Sequence, residues 1–240
     1  NRNLQQFIFG RMTMKVYNLE KISLRELNRA LQGAKDLKED VPWEVENPKG
    51  SHAVAVGLTA KINVNIRGST GYYCGGMNQK AKIHVFGSTG PGLGENIMSG
   101  KIIVEGNASQ YAGATGHGGL IIIKGNASSR CGISMKGTDI VVMGNIGHMS
   151  AFMAQSGNLV VLGNAGDGLG DSIYEANIFV RGKVGNLGAD CIEKDINEDH
   201  LATLNRLLLA SNCDVKPEKF RRYGSARQLY NFKIDNVNSY

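Results

Sequence analysis

The chain has 240 residues, enough to bury a sizeable core in one main domain with additions at its ends. Its net charge of +6 is thinly spread: residues 1–49 carry 9 basic against 7 acidic side chains, 50–213 carry 12 against 11, and only 214–240, with 6 against 3, is locally basic. A clustered basic stripe, a bilayer-length apolar run and a charged leader opening onto an apolar segment are all missing, which argues against nucleic-acid, membrane and secretory roles and leaves a cytoplasmic protein as the expectation.

In chain order, the first element is signalled by Ser23 and Glu26, the S-x-x-E pattern of a capping box. It opens an amphipathic helix over 24–34 that carries Leu24, Leu27 and Leu31 on one face. Residues 1–49 are read as an N-terminal arm around this helix.

From residue 50 a repeat takes over. Glycine recurs every 19 residues, at Gly68, Gly87, Gly106, Gly125, Gly144, Gly163 and Gly182, and each follows a short apolar stretch. Four and two residues before these glycines stand aliphatic pairs such as Val64/Ile66, Ile102/Val104 and Ile178/Val180, a period of two that predicts strands with one face in the core. After the glycine come Asn107, Asn126, Asn145 and Asn164, which tolerate the left-handed conformation and are expected to bond from coil to coil as a ladder. Two past the glycine, Ala108, Ala127, Ile146, Ala165 and Val184 are small or aliphatic. Seven past it, Gly75, Gly94, Gly113, Gly132, Ala151, Gly170 and Ala189 mark a second corner. Met77, Met98, Met135, Met153 and Ile173 are expected to return apolar side chains to the interior.

Nineteen extended residues trace about 60 Å, enough for a closed coil, and no coil buries its core alone. The predicted fold is therefore all-β: a right-handed parallel β-helix of seven 19-residue coils over 50–190. Residues 191–240 are read as a capping helix, begun at Asn197 or Asp199 and running through Leu201, Leu204, Leu207 and Leu208, then a docking tail for an anionic protein partner. The tail's anchors are Phe220, Arg221, Arg222 and Tyr223, followed by Leu229-Tyr230-Asn231-Phe232. One feature exceeds what a coil needs: the outward position between the two core residues of each strand is apolar in Ile103, Ile122, Val141, Val160 and Phe179. Such a stripe must be covered by a terminal segment or another subunit, so these five residues and the four tail anchors are the candidate interface.

Candidate chemistry is sparse. His84, His117 and His148 occupy different places in the coil and do not stack into a metal site. Gly90-Pro91-Gly92-Leu93-Gly94 looks like a phosphate cradle, yet no helix with a P-loop lysine follows, and its glycines fall on the repeat grid. Cys74, Cys131, Cys191 and Cys213 have neither C-x-x-C nor zinc spacing, and Cys74 and Cys131, three coils apart, stand about 14 Å from each other, too far for a disulfide. Asp167 and Asp171 share a turn that suits a cation or an acid/base pair; a solvated turn is the simpler reading. No catalytic, cofactor-binding or metal-ligating residue is assigned, and Asp167, Asp171 and His148 are kept as the fallback active site.

These glycine-rich coils closely resemble the C-terminal GXGXG β-helix domain of the glutamate synthase large subunit, whose motif also occurs in formylmethanofuran dehydrogenase. The resemblance covers about residues 50–190. With the segment from Ser23 to Leu31 and the Arg222-Tyr223-Gly224 tail, the chain is most similar to stand-alone β-helix subunits, that of N-methylglutamate synthase (methylamine-glutamate N-methyltransferase) above all. The resemblance implies a non-catalytic subunit that links a class II amidotransferase-like subunit to an FMN-binding glutamate synthase-like subunit. FMN and an iron-sulfur cluster then belong to that partner. The alternatives are the β-helix subunit of formylmethanofuran dehydrogenase and an independent β-helix lyase or metalloenzyme.

Overall fold

Alternating aliphatic side chains bury one face of a strand, and in this chain each such strand finds the equivalent strand one repeat later. The computed structural model describes residues 5–9, 12–34 and 42–227. Their strands are β1 (Gln5–Phe9), β2 (Met12–Asn18), β3 (Trp43–Glu46), β4 (Asn63–Arg67), β5 (Lys82–Val85), β6 (Lys101–Val104), β7 (Leu120–Ile123), β8 (Lys136–Val142), β9 (Ser156–Val161), β10 (Asn177–Val180), β11 (Cys191–Lys194) and β12 (Arg221–Ser225). Two helices, α1 (Leu24–Gln32) and α2 (Glu198–Ala210), accompany them. The strands form one sheet in the order β1 to β10, then β12, then β11. From β2 to β10 all pairs are parallel, which makes the molecule a β-solenoid of about 7 turns.

Register follows the repeat. Val64, Ile83, Ile102, Ile121, Ile140, Leu159 and Ile178 stack in line and are fully buried. A second parallel ladder runs through Thr70, Thr89, Ala108, Ala127, Ile146, Ala165 and Val184 on the other side of the core. Between the two, the asparagine ladder forms as expected but with a different polarity. The backbone N–H of each upper residue donates to the side-chain oxygen below, Asn126 to Asn107, Asn145 to Asn126 and Asn164 to Asn145, each at 2.8 Å. Ser69 and Ser88 play the same part in the first coils, at 3.0 Å. These asparagines are not left-handed. Of the seven repeat glycines only Gly68 has a positive φ. The rest are needed for closeness: a Cβ at Gly144 would meet Asn126 Oδ1 and come within 2.7 Å of the Gly125 carbonyl oxygen.

In the six coils that follow Gly68 to Gly163 the second corner is left-handed at three alternate positions, as at Tyr73, Gly75 and Met77 (φ 63°, 66° and 54°), and the last coil, with Ala189, departs from this. That conformation explains the small residues seven past the repeat glycine, and it corrects the expected inward methionines. Met135 and Ile173 are buried, whereas Met77, Met98 and Met153 are exposed. The inward position is occupied by Asn78, Ile97, Met135, Ala154 and Ile173, ten past the glycine. The buried Asn78 amide donates to the carbonyls of Ala81 and Ser99.

The solenoid begins before residue 50. Trp43 pairs with Val64 through a spacing of 21 rather than 19, which hid this coil from the repeat. Helix α1 closes that end: its capping box is present, and Leu27 and Leu31 enter the core. Asn28 both donates to Ala53 O (2.8 Å) and accepts from Ala55 N–H (3.0 Å), while Gln32 donates to Val56 O (2.9 Å), so side chains supply what a further coil would have supplied. At the other end the closure is a strand, a correction to the expected capping helix. β12 runs antiparallel to β10 and to β11, and Tyr223 and Cys191 join the interior. Residues Leu229 to Phe232 lie outside the described residues.

Candidate functional site

The outward row of the sheet reads Glu44, Asn65, His84, Ile103, Ile122, Val141, Val160 and Phe179, three polar rungs followed by five apolar ones. The apolar part is not open. Ile122, Val141, Val160 and Phe179 are buried against Leu204, Leu207 and Leu208 of α2 and against Phe220, with Ile103 partly covered at the margin. Helix α2 is fastened there by Arg206 to Asp139 (3.0 Å) and by the Lys101 ammonium donating to Ala210 O (2.8 Å), a cation on the negative end of the helix. The stripe is therefore the seat of the chain's own helix.

The tail anchors are also spent within the chain. Phe220 completes the cluster under α2 and Tyr223 faces the interior. Arg222 donates to Asp195 O and Asn177 Oδ1, both at 2.9 Å, and Arg221 donates to Gly182 O at 3.0 Å.

What stays open on this face is its polar third, beside the end of α2. The buried Glu44 carboxylate accepts from Arg67 Nε (2.6 Å) and Asn65 Nδ2 (2.5 Å). The Arg67 guanidinium lies 4.0 Å over the Phe86 ring, and His84 packs on the same ring at 4.0 Å between centroids. His84 Nε2 meets Glu105 Oε1 at 2.6 Å, and Lys124 pairs with the other oxygen at 2.8 Å. Lys124 first, and His84 after it, hold the Glu105 carboxyl below its ordinary range, so it is an anion at neutral pH. A cavity of about 190 Å³ sits between Pro42, Asn63, Asn65, Lys82 and His84. Nearby, burial and then Lys82 lower the proton affinity of Lys101. The arrangement gathers charged and hydrogen-bonding groups around this cavity. Sequence reading missed it, although the signal was there: Arg67, Phe86, Glu105 and Lys124 form one column immediately before the repeat glycines.

The fallback active site does not converge. Asp167 Oδ1 accepts from Asn186 N–H (2.8 Å), and Asp171 accepts from the Ser172 hydroxyl (2.8 Å) and Ala189 N–H (3.2 Å), so both carboxylates hold the next coil. The backbone carbonyl of His148 accepts from Arg130 N–H (2.9 Å), and no bond joins its ring to either carboxylate among the described residues. Burial pushes the Cys74 thiol up to about 11 and the Cys131 thiol up to about 12, which removes both as nucleophiles. Among the described residues no group of three or more His, Cys, Asp or Glu could hold a metal, and no helix is long and apolar enough to cross a membrane.

A curated relative, Protein GlxC of Rhizobium meliloti (strain 1021), is 62% identical over 228 residues, spanning 95% of this chain and 100% of that protein. No family model and no solved structure matches the chain.

Proposed function

Because the chain belongs to the GlxC family, to which its 62% identity over the whole of Protein GlxC assigns it, we propose that it is a structural subunit of a glutamate synthase-like enzyme complex. In this reading it links a class II amidotransferase-like subunit to an FMN-binding subunit that also carries the iron-sulfur cluster, and it holds two active sites in fixed relation. N-methylglutamate synthase is the activity the coil resemblance favours.

One observation carries the reading: Protein GlxC is matched over 100% of its length, so in that relative the matched region is a protein of its own and not part of a longer enzyme. A subsidiary support is the use made of polar groups. Asp167, Asp171 and the asparagine ladder bind neighbouring coils, as a scaffold requires, while Lys82, His84 and the polar cavity stand beside the end of α2 for contact.

The test is affinity capture of the tagged full chain from its native host at low salt, with mass spectrometry and a visible spectrum of the eluate. Co-purification of an amidotransferase-like chain and a yellow flavoprotein is expected. A colourless chain that elutes alone overturns the proposal.

A further inference from the structure

The cavity on the outward face lies between Pro42, Asn63, Asn65, Lys82 and His84, and its volume of about 190 Å³ is far above the ~15 Å³ that admits one water. It can hold a small organic molecule. Register sets Asn63 beside Lys82 and Asn65 beside His84 on neighbouring strands. The buried Glu44 carboxylate accepts from Asn65 Nδ2, and Glu105, itself paired with Lys124, meets His84 Nε2. The amide and the ring are thereby held in place at the cavity wall.

The same bonds decide what each side chain has left to offer. With Nδ2 given to Glu44, Asn65 has Oδ1 as its acceptor. Glu105 is an anion at neutral pH, so Nε2 of His84 carries the proton between them, and Nδ1 of the neutral ring is a second acceptor. Lys82 brings a positive charge to the same cavity, and Lys101 follows it one coil later. Among the described residues neither ammonium has a carboxylate partner, because Glu44 is taken by Arg67 and Glu105 by Lys124. The two cations also repel: after burial, Lys82 is what lowers the proton affinity of Lys101. The cavity thus presents a cation without a counter-charge beside two acceptors.

We propose that the cavity binds a small α-hydroxy acid. Its carboxylate is the counter-charge at Lys82, and the hydroxyl beside it donates to Asn65 Oδ1. A simple carboxylate would satisfy the lysine and leave the amide acceptor unmet, which costs affinity. Sulfate or phosphate would set acceptor oxygens against Asn65 Oδ1 and His84 Nδ1. An α-amino acid would bring a third ammonium beside Lys82 and Lys101, so the neutral donor is the better match. One ion pair at an accessible lysine with one hydrogen bond supports a dissociation constant of about 1 mM.

The test is a titration of the full chain, isotope-labelled at histidine, with glycolate near neutral pH, the His84 ring being followed by NMR and assigned with H84Q. A saturable shift of that ring with half-saturation at about 1 mM is expected, the rings of His117 and His148 staying unmoved. Acetate, glycine and sulfate should each bind at least about five-fold more weakly. K82M should weaken glycolate about ten-fold, whereas K136M, outside the cavity, should leave it unchanged. N65A should keep binding glycolate but lose the preference for it over acetate, each variant being matched to the parent by circular dichroism. Absence of a saturable shift up to about 50 mM overturns the proposal. So does K82M binding as tightly as the parent, or acetate, glycine or sulfate binding as tightly as glycolate. The titration uses the isolated chain and an added acid, so its failure leaves the assembly role standing, and an empty affinity capture leaves the acid site standing.

Discussion

Gly144 shows why the repeat glycines cannot be exchanged even where their φ is ordinary. A methyl group there would press on Asn126 Oδ1 and on the backbone of Gly125 at 2.7 and 2.9 Å, so the rung could not keep its spacing. Gly144→Ala is expected to destabilise by about 1–3 kcal/mol in urea unfolding. Asn126→Ala, which removes the acceptor for Asn145 N–H, should cost about 1 kcal/mol. At this scale the sequence was legible where chemistry repeats with the coil: the 19-residue period, the aliphatic pairs and the small residues of the second corner all stand in the structure. It was illegible where direction depends on the sign of φ. Met77 and Met153 occupy left-handed positions, and alternation of φ sign turns them outward where a uniform extended chain would have turned them in.

Helix α2 shows the same limit among elements. Its N-cap, Asn197, and its leucines are readable, but nothing local says that it lies against Val160 and Phe179 rather than across the end of the stack. That placement is a contact between positions far apart in the chain, as Arg206 with Asp139 illustrates. The Phe-Arg-Arg-Tyr segment was misread for a related reason: its alternation is that of a strand, and β12 uses it as one. The helix should also respond to pH. The His200 ring accepts from Asn197 N–H (3.2 Å) in the capping box, and burial, followed by Arg222, lowers its proton affinity. The unfolded chain therefore binds the proton more readily than the folded one. This contribution to stability is full above the ordinary imidazole pKa of about 6.5 and is lost as pH falls through the lower folded value. Amide protection factors of α2 should drop between about pH 7.5 and about pH 5.5. His200→Gln, which preserves a capping-box acceptor, should flatten that response.

In the whole molecule, each coil is bonded to its two neighbours, so damage should stay near its origin. Leu31→Ala, in the helix that closes the first coil, is expected to cost about 2–5 kcal/mol, with hydrogen exchange rising in β3 and β4 before β9 and β10. An early collapse of β10 would show that the stack unfolds as one unit. The two closures also differ in when they become available. Helix α1 precedes the coils it covers, so on the ribosome the emerging stack has its lid from the start and can wind turn by turn in the order of translation. The opposite edge has to wait for β12, about 40 residues beyond β10. Throughout that interval the newest coil presents an unpaired strand, a template for the same strand in a neighbouring nascent chain. The antiparallel β12 thus acts as a terminator, ending a parallel series that could otherwise be continued by any chain with the same repeat.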